Sequence, residues 1–524
     1  MNLKNFTKTA IGGLFLTVIF SQMACQPTDL SKESIIPKPV SVIPDGRAFD
    51  ITDQTNIFVQ GESAELKQIG QYLANKLNPA TGLSIEVKTT TAEPASGNIY
   101  LALSSDQELG DEGYQLKITD KLVSLTANKP AGLFYGVQTI RQILPAKIEM
   151  TTPQKASWKL PSGTIRDYPV YGYRGSMLDV ARHFFSVEEV KKLIDQMAYY
   201  KMNALHLHLS DDQGWRIEIK SWPNLTAHGG KTEVGGGEGG FYTQEQYADI
   251  IKYAQERFIT IIPEIDMPGH TNAASASYPE LNGNGKTAEL YTGTDVGFST
   301  LATKKEITYK FIDDVIRELA ALTPGEYLHI GGDESHATKL EDYIPFMNRV
   351  QDIVMEHGKK VLAWDEIALS TLKPNTVVQY WAKAENAVKG VAQGAKVLMA
   401  PAANAYLDMQ YDSTSTFGLH WAAYIEVDKA YNWDPANLVS EIKKENIFGV
   451  EAPLWSETVS NIHEAEYLIF PRLLGYAEIA WTPANLRNWD NYKVRLANHE
   501  ERMKAHDINY YPSKLVPWNT AKKK

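Results

Sequence analysis

Residues 327–334 read YLHIGGDE, an apolar strand segment that breaks at Gly331 and Gly332 and ends in two adjacent carboxylates, Asp333 and Glu334. A short apolar strand followed by a loop and a helix recurs from residue 166 onward. The predicted strands are residues 175–180, 204–209, 260–265, 327–330, 361–364, 376–380, 396–400 and 448–453. The helices predicted between them are residues 187–201, 244–256, 304–322, 345–357 and 461–479. Eight successive β/α units predict an α/β fold in which residues 166–500 form a (β/α)8 TIM barrel.

The part of the chain before this barrel has a different pattern. Five short alternating strands are predicted at residues 56–60, 84–88, 99–103, 114–118 and 122–127, with helices at residues 64–77 and 131–144. We therefore predict a small α+β domain of residues 35–165 ahead of the barrel, and a C-terminal tail of residues 501–524.

Composition and charge describe an ordinary globular protein, with 43% hydrophobic and 22% charged residues. The net charge of -11 disfavours nucleic acid and anionic membrane surfaces as partners. A neutral or weakly charged substrate fits this charge better.

The first 25 residues have the pattern of an export signal. Lys4 and Lys8 precede an apolar stretch at residues 10–20, which is too short for a stable membrane span. The only cysteine, Cys25, follows this stretch closely and resembles the cysteine of a bacterial lipobox, although Gln22 departs from the apolar residue usual there. We expect export to the cell envelope with Cys25 lipidated and residues 26–34 as a tether; simple secretion and an uncleaved anchor stay open.

The adjacent carboxylates restrict the chemistry. The C-terminal ends of barrel strands are where this fold keeps reactive groups. A glycosidase ordinarily needs two carboxyls ~5 to 9 Å apart on opposite sides of the scissile bond, whereas neighbouring Cα atoms are only ~3.8 Å apart. Asp333 and Glu334 should therefore share one side of a substrate, with Glu334 as proton donor and Asp333 orienting a nucleophile that the substrate itself carries. An exposed acidic turn is the alternative for such a short motif.

Five motifs in chain order each end a predicted strand: RGSMLDVARHFF (174–185), LHLHLSDDQGWR (205–216), PEIDMPGH (263–270), HIGGDE (329–334) and WSE (455–457). With these motifs the chain resembles the β-N-acetylhexosaminidases of glycoside hydrolase family 20 over residues 35–500. The resemblance implies exo-acting hydrolysis of terminal non-reducing N-acetyl-D-hexosamine from β-linked glycans, through an oxazolinium intermediate and without a metal or cofactor. The expected partner is a glycan that ends in β-linked N-acetylglucosamine or N-acetylgalactosamine.

The resemblance also implies roles for individual residues. Glu334 matches the general acid, and Asp333 is expected to hold the substrate acetamido group and to raise the pKa of Glu334. Asp211 and His270 match a pair that is hydrogen-bonded to the acid. Tyr406 matches the tyrosine that aligns the acetamido oxygen for attack on C1.

Binding residues follow from the same matches. Arg182 and Glu457 correspond to the pair that reads sugar O3 and O4, and we expect the arginine fork to face that carboxylate. Asp408 corresponds to a ligand of O4 and O6, and Asp266 is expected to hold His270 or Asp211. The aromatic box around the acetamido methyl and sugar face is expected to be Trp364, Trp381 and Trp455.

Three alternatives compete with this interpretation. A metal-dependent barrel hydrolase would use His206 and His208 with Asp211 or Asp212, but the fifth to seventh predicted strands end without the further histidine ligands that such sites need. A non-catalytic sugar-binding lipoprotein would have lost the acid or its partner. A family member that releases a disaccharide is compatible with the same motifs.

Overall fold

The computed structural model describes residues 28–283 and 288–518. The predicted export signal and Cys25 lie outside the described residues. Among the helices of the described part, none combines the length and apolarity needed to cross a membrane.

The N-terminal part is a seven-stranded sheet of order β1-β7-β5-β6-β4-β2-β3. The strands are β1 (Ser41–Asp50), β2 (Ile57–Gln60), β3 (Val87–Thr90), β4 (Asn98–Leu103), β5 (Tyr114–Ile118), β6 (Leu122–Ala127) and β7 (Lys159–Asp167). Helices α1 (Ala64–Thr81) and α2 (Pro130–Ile143) pack on this sheet.

Two of these strands were not predicted. β1 contains Pro44 and Gly46 and is largely exposed at the sheet edge, and β7 contains Pro161 and Gly163. Proline and glycine are depleted in strands, so neither sequence has the alternation that indicates one. β3 also begins three residues later than the predicted strand at residues 84–88.

Eight parallel strands close into a barrel, which confirms the predicted fold class. They are β8 (Tyr173–Asp179), β9 (Ala204–His208), β10 (Thr260–Glu264), β11 (Tyr327–His329), β12 (Lys360–Trp364), β13 (Val377–Tyr380), β14 (Lys396–Met399) and β15 (Ile447–Leu454). Each begins and ends within two residues of its prediction. Strands of a closed parallel barrel are buried on both sides, and their continuous apolar runs are easy to identify.

The helices that follow are α3 (Val187–Tyr199), α4 (Asn224–Ala227), α5 (Gln244–Gln255), α6 (Asn272–Ser277), α7 (Glu306–Leu322), α8 (Leu340–Glu356), α9 (Ala384–Ala392), α10 (Ala402–Ala405), α11 (Val427–Tyr431), α12 (Ile462–Ile469), α13 (Arg472–Trp481), α14 (Trp489–Asn498) and α15 (Glu500–Ala505). α3 begins at a capping box in which Ser186 and Glu189 satisfy each other's backbone N–H groups. The predicted single helix at residues 461–479 is wrong, because Pro471 separates α12 from α13.

Buried polar contacts connect the sheet domain to the barrel. Asp167 at the end of β7 accepts hydrogen bonds from Lys201 Nζ at 2.9 Å and from Trp481 Nε1 at 2.8 Å. Arg174 on β8 forms an ion pair with Glu112 at 2.7 Å. Residues 501–518 also pack on the molecule, since Arg502 donates to the carbonyl of Gln142 at 2.6 Å. The predicted domain boundaries stay predictions.

Candidate active site

A cavity of about 290 Å³ opens at the C-terminal end of the barrel strands. Most of the predicted site residues line it: Arg182, His270, Asp333, Glu334, Trp381, Tyr406, Asp408, Trp455 and Glu457. Three predicted residues lie behind this lining, namely Asp211, Asp266 and Trp364. Residues from at least five barrel strands or their following loops therefore meet in one place, as expected for a TIM barrel.

The turn after β11 positions the two adjacent carboxylates. Gly331 and Gly332 have φ values of 60° and 103°, and a Cβ at Gly331 would lie 1.8 Å from Asp266 Oδ1. The same Asp266 oxygen accepts a hydrogen bond from the Gly332 N–H at 2.9 Å. Asp266, in the loop after β10, thus supports the turn after β11. The sequence had indicated only that it holds His270 or Asp211.

Glu334 itself has a left-handed backbone conformation, with φ of 41°. His270 at the neighbouring loop is also left-handed, with φ of 56°. Such conformations are uncommon for residues with a Cβ and concentrate at functional sites. Both residues direct side chains into the same cavity.

A chain of ionisable groups leads from the barrel core to Glu334. His208 Nε2 lies 2.7 Å from Asp211 Oδ2, and Asp211 Oδ1 lies 3.1 Å from His270 Nδ1. His270 Nε2 lies 3.6 Å from Glu334 Oε2 and 3.9 Å from Asp333 Oδ2. His270 therefore lies between Asp211 and Glu334, and the hydrogen bond from this pair to the acid stays a prediction.

The surroundings of His270, Glu334 and Asp333 shift the pKa values of these groups in different directions. Burial lowers the pKa of His270, but the charge of Asp211 and the hydrogen bond to it raise the pKa well above its ordinary value. Burial raises the pKa of Glu334, but the nearby His270 imidazolium, with Nε2 3.6 Å from Oε2, outweighs burial and leaves it lowered. Burial, followed by the charge of Asp266, raises the pKa of Asp333 well above its ordinary value. The contact with His270 therefore acts against the rise expected from Asp333, and the effect of Asp333 on the pKa of Glu334 stays a prediction.

Arg182 has other partners than expected. Its guanidinium lies 2.9 Å from Asp211 and 3.4 Å from Asp179, and it stacks over the Trp455 ring at 4.8 Å. Arg182 and Glu457 line the same cavity without a direct ion pair among the described residues, and their joint reading of sugar O3 and O4 stays a prediction. Asp179 also accepts the Ser456 N–H at 3.0 Å, which fixes the loop after β15 against β8.

Several buried polar atoms at this cavity have no hydrogen-bond partner within the described residues. They are both carboxylate oxygens of Asp408, Oε2 of Glu457, Oδ1 of Asp333, Nε of Arg182 and Nε2 of His270. Burial and the charge of Glu457 raise the pKa of Asp408 well above its ordinary value. Unpaired buried acceptors cost free energy, so this lining is suited to a ligand that brings several donors, as a sugar does with its hydroxyl and amide groups.

Aromatic side chains form the other wall. Trp381 stacks on Tyr406 with ring centroids 6.3 Å apart and an interplanar angle of 11°, and Tyr406 lies 6.3 Å from Trp455. Trp364 is fully buried and packs behind Trp455 at 5.7 Å, with its Nε1 donating to Glu264 at 2.8 Å. Trp364 therefore supports the wall from the barrel core and does not line the cavity.

Comparison with known families decides the assignment. Residues 171–344 and 335–484 match the family model for glycosyl hydrolase family 20, catalytic domain, and residues 32–168 match the model for domain 2 of the same family. The chain belongs to glycosyl hydrolase family 20.

Named relatives agree with this assignment. A β-N-acetylhexosaminidase of Cellulomonas fimi is 40% identical over 489 residues, which cover 93% of this chain and 97% of that protein. The solved family 20 β-N-acetylhexosaminidase of Streptomyces coelicolor A3(2) is 49% identical, with a TM-score of 0.90 and coverage of 94% of this chain and 100% of that one. A mutant Streptomyces plicatus β-hexosaminidase in complex with the product GlcNAc is 48% identical, with a TM-score of 0.90 and coverage of 94% and 99%. The chain is therefore an enzyme, a glycoside hydrolase of the β-N-acetylhexosaminidase class, and the alternative of a non-catalytic binding protein is set aside.

Sequence reasoning missed the residue at the centre of this family 20 barrel. Glu264 at the end of β10 contacts three histidines: His206 Nε2 at 3.0 Å, His329 Nδ1 at 2.8 Å, and His208 Nδ1. The H-x-H motif on β9 thus holds a buried carboxylate. The sequence pointed to Glu264 only through its position inside the apolar strand that begins PEIDMPGH. A buried acidic residue in such a strand needs a charged or hydrogen-bonding partner.

The mouth of the cavity was also missed. Thr294, Val296, Leu419 and Trp421 line it together with the predicted residues. The Trp421 side chain is 58% exposed and lies 6.2 Å from Trp381. These residues come from two long loops without a strand pattern, so the sequence contained no sign of their position.

Proposed function

We propose that this family 20 enzyme removes single β-linked N-acetylhexosamine residues from the non-reducing ends of glycans, with retention of configuration. The observation that supports this proposal most strongly is that Asp333 is buried beside Glu334. Its Oδ1 has no hydrogen-bond partner among the described residues, and Tyr406 lies in the wall of the same cavity. A cavity of about 290 Å³ is at the small end of ligand pockets and suits one sugar.

In this proposal the nucleophile is the acetamido oxygen of the substrate. Asp333 accepts the acetamido N–H, and Tyr406 holds the acetamido oxygen below C1, so that ring closure to an oxazolinium expels the leaving group. Glu334 donates a proton to the departing oxygen and then accepts one from the incoming water. Arg182, Asp408 and Glu457 are proposed to bind the sugar hydroxyl groups.

The charge state of the carboxyl pair then has to change on binding. Before binding, Asp333 holds its proton more firmly than Glu334 does, because the pKa of Asp333 is raised and that of Glu334 is lowered. An acetamido N–H donated to Asp333 favours its carboxylate, and a bound sugar that covers the 28% exposed Glu334 side chain favours the neutral acid. We propose that substrate binding moves the proton of this pair from Asp333 to Glu334.

The test uses aryl β-N-acetylglucosaminide and β-N-acetylgalactosaminide with the purified enzyme. Proton NMR at early times is expected to show the β-anomer of the free sugar first, and activity is expected to persist in EDTA. A thiazoline mimic of the oxazolinium should bind far more tightly than N-acetylglucosamine. Initial release of the α-anomer, or a sugar ester trapped on any carboxylate, would overturn the mechanism. Activity lost in EDTA and restored by zinc would favour a metal-dependent hydrolase.

The location of the enzyme is a separate proposal. We propose that it is exported and carries lipid on Cys25, because an apolar signal ends close to the only cysteine. Mass spectrometry of the membrane-extracted protein is expected to find Cys25 as a modified N-terminus. An unmodified Cys25 or a different mature start contradicts lipidation and leaves the enzymology unchanged.

A further inference from the structure

A second cavity lies far from the barrel mouth, where α1, α2, α3 and the segment after α15 meet. Its volume is about 130 Å³, less than half that of the candidate active site, and Lys76, Arg141, Lys192, Asp195 and His506 contribute to its lining. The side chains of Lys192, Asp195 and His506 are 33%, 36% and 27% exposed, so solvent solutes can reach it. We call it the interdomain cavity.

The lining of the interdomain cavity is cationic in a protein of net charge -11. Lys76, Arg141 and Lys192 face a single lining carboxylate, Asp195. Both oxygens of Asp195 already have partners, since Arg257 Nε donates to one and Tyr253 OH to the other at 2.9 Å. Asp195 is therefore already paired with Arg257, whose positive charge adds to those of Lys76, Arg141 and Lys192 around this one carboxylate.

Some of these cations have outside partners. Lys192 Nζ lies 2.6 Å from Glu466, and Arg141 forms a buried ion pair with Glu149. Lys76 has no ion pair or hydrogen bond among the described residues, and its ammonium only contacts the Tyr72 ring, at 5.6 Å. Burial, followed by the charge of Arg141, lowers the pKa of Lys76. A lysine in this position has no described carboxylate within ion-pair distance.

Buried groups of the same lining are also unpartnered. Arg141 is 1% exposed, yet its Nε has no hydrogen-bond partner within the described residues. His506 Nε2 is likewise buried without a hydrogen bond to any described residue, 3.5 Å from Glu149. Among the lining residues, Oε1 of Gln196 is the one buried acceptor that has no hydrogen-bond partner within the described part of the chain. A buried guanidinium N–H beside an unpaired ammonium is the donor arrangement that binds oxyanions.

We propose that the interdomain cavity binds a small oxyanion of the phosphate or sulfate type, held by Lys76 and Arg141 with Lys192 at its entrance. The volume admits one such group and excludes a bulky ligand. The bound anion connects the N-terminal domain, α3 and the C-terminal segment, and so stabilises their packing. This site is independent of the proposed catalytic mechanism.

The test compares thermal unfolding of the full-length enzyme in millimolar phosphate and in chloride of equal ionic strength. A ligand that binds only the folded state raises Tm in a saturable manner, here by roughly 1 to 3 °C. Lys76→Met should abolish the phosphate-specific rise. Lys67→Met on the same helix removes an exposed lysine that pairs with Glu62 at 2.6 Å, and it should keep the rise. Both variants should hydrolyse aryl substrate like the wild type, which shows that they fold.

Two further arms identify the source of the anion and exclude general salt effects. Isothermal titration with inorganic phosphate is expected to give Lys76-dependent heat, whereas glucose 6-phosphate, whose sugar is too bulky for the cavity, is expected to give none. Lys76-dependent heat from glucose 6-phosphate alone would overturn the assignment to a small free anion. Equal Tm in phosphate and chloride, or an equal rise in wild type and Lys76→Met, overturns the proposal, because general stabilisation by excluded salts does not depend on one lysine.

Discussion

At the scale of single residues, the site separates two adjacent carboxylates by their environments. Asp333 is 6% exposed and next to Asp266, whereas Glu334 is more open and contacts the imidazolium of His270. Groups whose environments move their pKa values apart are the ones that divide acid and base work between them. The division should be visible in the behaviour of each residue's amide variant.

We predict different losses for the two carboxylates. Glu334→Gln should slow substrates with poor leaving groups by roughly 10² to 10⁴-fold and spare activated aryl substrates, because only a poor leaving group requires protonation. Asp333→Asn should slow both kinds of substrate, because the acetamido oxygen has to be positioned for attack on C1 whatever the leaving group. Steady-state kcat/KM on a series of aryl leaving groups measures this difference. Unchanged turnover in Asp333→Ala would contradict the substrate-assisted mechanism.

At the scale of elements, the turn after β11 depends on a contact from the neighbouring strand. Asp266, two residues after β10, occupies the space that a side chain at Gly331 would need. β10 and β11 pair in parallel at a single position, Glu264 opposite His329. This pairing and the hydrogen bond from the Gly332 N–H to Asp266 fix the turn that carries the two carboxylates. The turn is thus a property of two elements.

Gly331→Ala tests this dependence. Its Cβ would lie 1.8 Å from Asp266 Oδ1 in addition to the left-handed strain, so we expect loss of most activity and a clear fall in Tm. Gly358→Ala is the matched control, because Gly358 has φ of 73° and an added Cβ there would meet no heavy atom within 4 Å. The control carries only the conformational cost of about 1 to 2 kcal/mol. Equal effects of the two variants would show that the Asp266 contact contributes nothing.

At the scale of the whole molecule, the two ends of the described chain pack together. His499 follows α14, is fully buried, and its ring contacts the Ser34 carbonyl and the Tyr200 hydroxyl, the latter at 3.3 Å. Burial, followed by the charge of Arg502, lowers the pKa of His499 from 6.5 to about 3. The histidine is therefore neutral in the folded protein over most of the acid range.

This burial predicts a pH dependence of stability. Below pH 6.5 the unfolded chain binds a proton at His499 that the folded protein binds only near pH 3, so stability falls as pH drops below 6.5. The contribution is about 1.4 kcal/mol per pH unit. Urea unfolding between pH 7 and pH 5 should show a shallower dependence for His499→Gln than for the wild type. His463→Gln, at an exposed position, should leave the slope unchanged, and an unchanged slope in His499→Gln would contradict the prediction.

The barrel and the place of its reactive groups could be predicted from the order of residues alone. Eight successive apolar strands identify a parallel barrel, and the five motifs that end strands identify residues that its C-terminal end brings together. This works because buried parallel strands are encoded locally, by continuous apolar runs. The edge strand β1, interrupted by Pro44 and Gly46, has no such local pattern.

The pairing and the charge of these groups became visible only in three dimensions. Arg182 forms ion pairs with Asp211 and Asp179, Glu264 contacts three histidines, and His270 lowers the pKa of Glu334. Each of these results depends on distances between residues far apart in sequence and on the burial of charge. Electrostatic interactions vary with distance and local dielectric, and neither quantity is present in the order of residues along the chain.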